Sequence, residues 1–276
     1  MHHLHDVHPD DLSRLTTAQL RDRFLFQSLF VSGEQRLCYW DVDRTVFGGL
    51  MPTDAPITLS TPANLAAACF CERRELGIIN LGGPGYVIVG EEKFEMAPRD
   101  GLYVGRGGAT PEFSSMDPSN PARYYLLSYP AHAVYPTRHM KFVGLVGTHL
   151  GSSITANERT IYKYVAPGLV ASCQLVMGLT VISPGSVWNT MPPHTHLRRS
   201  EVYCYCELAS ESIVMHFMGP PDATRHLVVR TGEAVVSPSW SIHAGAGTGA
   251  YAFVWGMGGE NQTFDDMNRA ALSELR

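Results

Sequence analysis

Apolar residues along this chain fall mostly in short alternating or near-continuous runs, broken by Gly, Pro, Asp and Asn. That punctuation predicts many short strands and tight turns, with few helices. Two stretches differ. In AQLRDRFLFQSLF (18–30), Leu20, Phe24, Leu25 and Phe30 lie on or near one helical face, and Thr16 or Thr17 can cap its start. The tail FDDMNRAALSELR (264–276) has cap candidates in Asp265 and Asp266 and helical spacing at Met267, Ala271 and Leu275. Between them, strands are expected at 36–42, 44–46 and 57–59, with GGLMPTDAP (48–56) as a turn region. Further strands follow in 69–107, punctuated at Gly82-Gly83, Gly90 and Arg99-Asp100-Gly101. Residues 108–160 carry Pro111, Pro118, Pro121, Pro130 and Pro136 around a strand at 122–129, which makes a structured connection and not a flexible linker.

The chemistry concentrates between Pro184 and His243. His194 and His196 are two apart, so on an extended strand both rings share a face. Glu201 opens an apolar run, and His243 follows Gly232, Pro238 and Trp240. Three imidazoles and a carboxylate suit a borderline divalent ion such as zinc, manganese, iron or nickel. An HxH pair alone is more often two polar strand residues than a ligand pair; Glu201 and His243 at their spacing favour the metal reading.

That spacing resembles the two cupin motifs, one from Gly185 to Glu201 and the other from Gly232 to His243. No Gly follows six residues after Glu201, and Trp240 stands where Gly is usual. The layout implies a mainly β, bicupin fold of two β-barrel (jelly-roll) halves with short N- and C-terminal helices. Residues 1–150 would be a half without metal and 151–276 the metal-binding half. Aligning Glu75 with Glu201 puts Ala68, Phe70 and Thr110 at the histidine positions, so the first half lacks imidazoles. The echo of CFCE (69–72) in CYCE (204–207) agrees with duplication, although any Gly-rich β-meander could read this way.

Composition narrows the classes. Hydrophobic residues make up 45% and charged residues 17%, which excludes a disordered chain. A net charge of -5 gives no general attraction to nucleic acid or to anionic membranes. No apolar run approaches a membrane span, and MHHLHDVHPDDLSRL lacks the apolar core of a signal peptide, so the chain reads as cytoplasmic. Cys69/Cys71 and Cys204/Cys206 could bind zinc together, but read better as buried thiols; Cys38 and Cys173 stand alone. His2, His3, His5 and His8 could chelate weakly, though a frayed terminus is the simpler reading.

Almost end to end, the chain also resembles the 5-keto-4-deoxyuronate isomerase family. The resemblance is carried by RTVFGGLMP (44–52), ERRELGIINLGG (72–83), WNTMPPHTH (188–196), SPSWSIHAGAGT (237–248) and WGMGGENQTFDDM (255–267). It implies one zinc ion held by His194, His196, Glu201 and His243, and a homo-hexamer. The implied reaction interconverts 5-dehydro-4-deoxy-D-glucuronate and 3-deoxy-D-glycero-2,5-hexodiulosonate, in the breakdown of pectin and related polysaccharides. An acidic sugar needs a cation: Arg159, Arg198 and Arg199 are candidates for its carboxylate, or ordinary surface arginines. Trp188 and Trp240 could wall the sugar or simply pack. The proton-transferring base is not identified by sequence. A cupin dioxygenase and a non-catalytic, metal-stabilised sugar-binding cupin are the competing functions.

Overall fold

The structure, a computed structural model, describes every residue except Asn261. It is mainly β, with short helices near both ends. No helix among the described residues is long and apolar enough to cross a membrane. Two compact units divide the chain. One comprises Met1–His3, Ser28–Leu145 and Tyr164–Val176; the other comprises Leu4–Gln27, Val146–Lys163 and Met177–Arg276.

The sheets form two sets whose strand orders match except at one end of the large sheet, where the second set takes Leu25–Phe26 from the start of the chain. One seven-stranded sheet runs His2–Leu4, Gln35–Trp40, Thr45–Leu50, Tyr124–Pro130, Arg74–Asn80, Gly101–Val104, Arg138–Met140. The other runs Thr148–Leu150, Arg159–Val165, Val176–Ile182, Ala252–Gly259, Arg199–Cys206, Glu233–Ser237, Leu25–Phe26. A four-stranded sheet accompanies each: Ile57–Thr58, Glu112–Ser115, Gly85–Val89, Glu92–Met96 in one case, Trp188–Asn189, Ile242–Gly247, Val214–Gly219, Arg225–Val229 in the other. In each set the strand carrying Glu75 or Glu201 lies between a partner from the end of that set and a partner that closely follows it. Such a repeated order is what duplication of one unit produces. In the first unit, Leu37, Leu76, Ile78 and Leu126 from the large sheet share one core with Val87 and Phe113 from the small one.

Local chemistry explains where elements start and stop. The helix Thr17–Phe24 begins with a capping box: Thr16 Oγ1 accepts from the Gln19 amide at 3.3 Å, and Gln19 Oε1 accepts from the Thr16 amide at 2.9 Å. It stops at Phe24, short of the expected Phe30, because Leu25–Phe26 pairs with Val235 and Ala234 as an edge strand. The strand expected at 44–46 continues through the two glycines to Leu50. Those glycines serve close packing: a Cβ on Gly48 would lie 2.1 Å from the Arg36 carbonyl oxygen, and one on Gly49 would lie 2.5 Å from that of Leu29.

At the chain start, His2–Leu4 forms a strand and the His3 ring packs edge-on to Tyr39 at 5.0 Å, so the terminus is ordered where fraying was expected. At the other end the expected Asp-capped α-helix is a short 3-10 turn, Leu272–Glu274, preceded by the strand Asn268–Arg269. Arg199 draws the carbonyls of Thr263, Phe264 and Asp266 toward itself, which takes them out of any helical ladder.

Glu75, fully buried, shows what becomes of a carboxylate with no imidazoles around it. Its Oε2 accepts from the Tyr103 hydroxyl at 2.8 Å and the Cys173 amide at 2.7 Å. Its Oε1 accepts from the amides of Gln174 at 2.6 Å and Leu175 at 2.8 Å. Four donors thus offset the charge and fasten segment 173–175. Replacing Glu75 by Gln would set an NH2 against these donors. The expected cost is about 2–4 kcal/mol, read as a lowered midpoint in denaturation, with metal content unchanged.

Candidate metal centre

Each candidate ligand arrives on a different element. Glu201 lies in the strand Arg199–Cys206 of the large sheet, all of it buried. Side chains two apart share a face, so Tyr203 and Tyr205 follow Glu201 inward. His243 comes from the strand Ile242–Gly247 of the small sheet. His194 opens the two-residue strand His194–Thr195, which pairs with Asn268–Arg269, and His196 follows just beyond it.

The four side chains converge. His194 Nε2 stands 3.0 Å from His196 Nε2 and 3.0 Å from His243 Nε2. Glu201 Oε2 lies 3.3 Å from His196 Nε2 and 3.1 Å from His243 Nε2. Atoms about 2.0–2.1 Å from a shared ion would stand roughly 2.9 Å apart at right angles and roughly 3.3 Å apart at tetrahedral angles. The observed separations fall in that range.

Protonation points the same way. Burial, then the neighbouring His196, Arg199 and Arg269, pushes the His194 pKa down to about 3. Burial, then His194 and His196, holds His243 well below the ordinary range. The close Glu201–His243 approach is therefore no ion pair at neutral pH. Glu201 Oε2 is buried without a hydrogen-bond partner, facing nitrogen lone pairs. His196 Nδ1 lies 2.9 Å from the Asp266 carbonyl, an acceptor only, which places a proton on Nδ1 and, in the neutral ring, the lone pair on Nε2. Arg199 Nη2, 3.0 Å from the same Nδ1, donates to that carbonyl too, so two donors share one acceptor. A cation at the convergence would give the Glu201 carboxylate and the facing Nε2 lone pairs a common partner, and the His194, His196, His243 cluster could hold a metal ion.

A cavity of about 310 Å³ opens on the cluster. Phe253, Trp255, Met257 and Phe264 supply apolar wall, while Tyr203, Arg159 and Arg269 bring polar groups. Of the three arginines proposed from sequence, only Arg159 lines it; Arg198 is exposed elsewhere, and Arg199 is buried under the 263–266 segment. Trp188 stacks on Phe217 at 5.9 Å, and Trp240 meets Phe24 edge-on at 6.3 Å; neither lines the cavity. Sequence reasoning missed Tyr203, although its place two residues after Glu201 was legible, and missed Arg269, whose segment reads as a helix. The six cysteines are thiols and not disulfides, and none joins a converging ligand group among the described residues. Burial pushes the Cys71 thiol up to about 12.

Two outcomes follow. His243→Ala should abolish stoichiometric metal binding, measured by elemental analysis, because a methyl group cannot replace an imidazole ligand. Behind the site, His216 is buried with Nδ1 2.7 Å from the Tyr205 hydroxyl, and burial pushes its pKa to about 3 from 6.5. Below pH 6.5 the unfolded chain binds a proton here that the folded chain refuses. Stability present at neutral pH is therefore lost as pH falls toward 3, by up to about 1.4 kcal/mol per unit for this group. In metal-free protein, denaturation at pH 7 and pH 5 should show a shallower pH slope for His216→Gln than for the unsubstituted chain.

Comparison with known proteins gives the site a family. Residues 29–275 match the KduI/IolB family. The chain is 49% identical over 270 residues to the 4-deoxy-L-threo-5-hexosulose-uronate ketol-isomerase of Caldicellulosiruptor bescii, covering 98% of each chain. It is 48% identical to the protein of the same name from Lachnoclostridium phytofermentans, covering 97% of each. Among solved structures, an IolB-like protein from Salmonella typhimurium superposes with TM-score 0.72 at 14% identity, over 90% of this chain and 96% of that one. Oxalate decarboxylase from Bacillus subtilis shares the fold at TM-score 0.57 and 11% identity, over 81% of this chain and 71% of that one. On its match over nearly the whole length, this chain belongs to the KduI/IolB family.

Proposed function

We propose that this chain, an isomerase by family, is a zinc-dependent ketol-isomerase that converts 5-dehydro-4-deoxy-D-glucuronate to 3-deoxy-D-glycero-2,5-hexodiulosonate. The observation that carries the reading is the convergent three-imidazole, one-carboxylate cluster at the floor of an arginine-lined cavity. It occurs in a chain nearly half identical to named ketol-isomerases. In this reading His194, His196, Glu201 and His243 hold the ion, and the fold is a bicupin whose N-terminal half, near 1–150, carries no metal. The C-terminal half, near 151–276, is the catalytic one. Assembly as a homo-hexamer and a cytoplasmic setting belong to the same proposal.

An aldose–ketose interconversion takes a proton from the carbon beside a carbonyl and returns it to the adjacent carbon. A bound divalent ion supplies Lewis acidity at the substrate's carbonyl and neighbouring hydroxyl oxygens. The chain's own groups do the rest. The apolar wall of Phe253, Trp255 and Met257 excludes water, which strengthens polar contacts inside. Burial raises the Tyr203 phenol well above its ordinary range, so its hydroxyl stays protonated and can donate to an oxygen that gains charge. Arg159, with its guanidinium at the cavity, is placed to pair with a carboxylate.

The test is isomerisation of the keto-deoxyuronate by purified protein. Chelation should abolish turnover and zinc should restore it; exclusion of oxygen should leave it unchanged. In deuterated water the carbon that receives the proton should acquire deuterium. Undiminished turnover after complete metal removal, or a strict need for oxygen, would overturn the reading. Arg159→Lys should raise KM about tenfold, since an ammonium keeps the charge but not the bidentate geometry.

A further inference from the structure

We infer that Arg159 and Arg269 form a two-armed clamp for a free carboxylate on the substrate, so that the site takes the acid and rejects its ester. The inference rests on the isomerase reading above and extends it to a residue from the C-terminal segment. The two arginines reach the cavity from different elements. Arg159 opens the strand Arg159–Val165, and Arg269 closes the strand Asn268–Arg269, which pairs directly with His194–Thr195. Register places Arg269 opposite His194.

Neither guanidinium has an acidic partner among the described residues. The hydrogen bond shown for Arg159 runs from Nη1 to the Asn157 carbonyl at 2.8 Å, which leaves other donors available. The Arg269 backbone pairs with His194, but its guanidinium has no hydrogen bond or ion pair among the described residues, and the residue is exposed. Glu201 is the single carboxylate in the lining, and it is committed to the histidine cluster. The cavity therefore has two cationic arms, an apolar wall and no internal counter-charge for either arm. Arg159 is also partly withdrawn from water, where an unpaired guanidinium is costly and an arriving carboxylate relieves the cost.

Planar guanidinium donors match the two oxygens of a carboxylate. Esterification removes the charge, blocks one oxygen with an alkyl group and leaves the arms unpaired. An ester-hydrolysing reaction must therefore act before this enzyme on any esterified uronate.

The experiment compares the keto-deoxyuronate with its methyl ester on zinc-loaded protein. The unsubstituted chain should prefer the acid by about 100-fold or more in kcat/KM. Arg269→Gln and Arg159→Gln should each lower kcat/KM for the acid by about 10–100-fold, mainly through KM, and bring the acid-to-ester ratio toward one. Zinc content and circular dichroism should match the unsubstituted chain. A merely structural role would depress acid and ester alike and leave the ratio standing; that result, or no change at all, overturns the clamp. If the unsubstituted protein does not isomerise the acid, the isomerase reading fails by itself. Calorimetry with D-glucuronate and its methyl ester then decides the clamp separately: acid-selective binding lost in Arg269→Gln supports it, and equal binding of acid and ester overturns it.

Discussion

A carboxylate buried among imidazoles that burial keeps from taking up charge is costly, and the surroundings of Glu201 are arranged around that cost. Glu201 Oε2 lies within 3.3 Å of His196 Nε2 and within 3.1 Å of His243 Nε2, with no hydrogen-bond donor of its own. Burial holds His194 and His243 in the form that cannot donate a charge to it. Left alone, the arrangement sets one negative group against lone pairs in a dry interior. A cation there would make it favourable, and the three imidazoles could hold one. Backbone acceptors orient the rings from outside: the Asp266 carbonyl for His196 and the Ser241 backbone for His243.

Glu75 meets the same electrostatic problem with a different solution. There Tyr103 and three consecutive amides supply the positive ends of four hydrogen bonds, and the segment 173–175 is held as a result. A carboxylate on a central strand can thus close on protein or stay open toward a cation. The difference comes down to what surrounds it. Around Glu201 stand imidazoles with free Nε2 atoms; around Glu75 stand amide N–H groups.

Much of this was legible in the sequence, for identifiable reasons. Short punctuated runs gave the mainly β class, and Thr16 with Gln19 three residues later gave the helix start. Alternation along a strand put His194 and His196 on one side and could have put Tyr203 beside Glu201. The failures share a cause, namely tertiary partners that override local pattern. Gly48 and Gly49 read as a turn because their role, letting neighbouring backbone approach, depends on strands distant in sequence. The tail read as a helix because the partner of its carbonyls, Arg199, lies more than sixty residues earlier. Arg199 looked like a substrate ligand for the same reason, since sequence shows its charge and not the backbone that uses it.

That use of Arg199 ties the cavity to the cluster. Its guanidinium gathers the carbonyls of Thr263, Phe264 and Asp266, and the same Asp266 oxygen accepts from His196. Phe264, Met267 and Arg269, all from this segment, line the cavity. The strand Asn268–Arg269 then pairs with His194–Thr195. Two histidines of the cluster are therefore braced by the same seven residues, 263–269, that shape one wall of the cavity. Loss of the Arg199 fork would release that wall and the His196 ring together, so effects on substrate affinity and on metal affinity at this position cannot be separated by substituting Arg199 alone. Arg269 can be altered without touching these carbonyls, which makes it the cleaner probe of what the cavity binds.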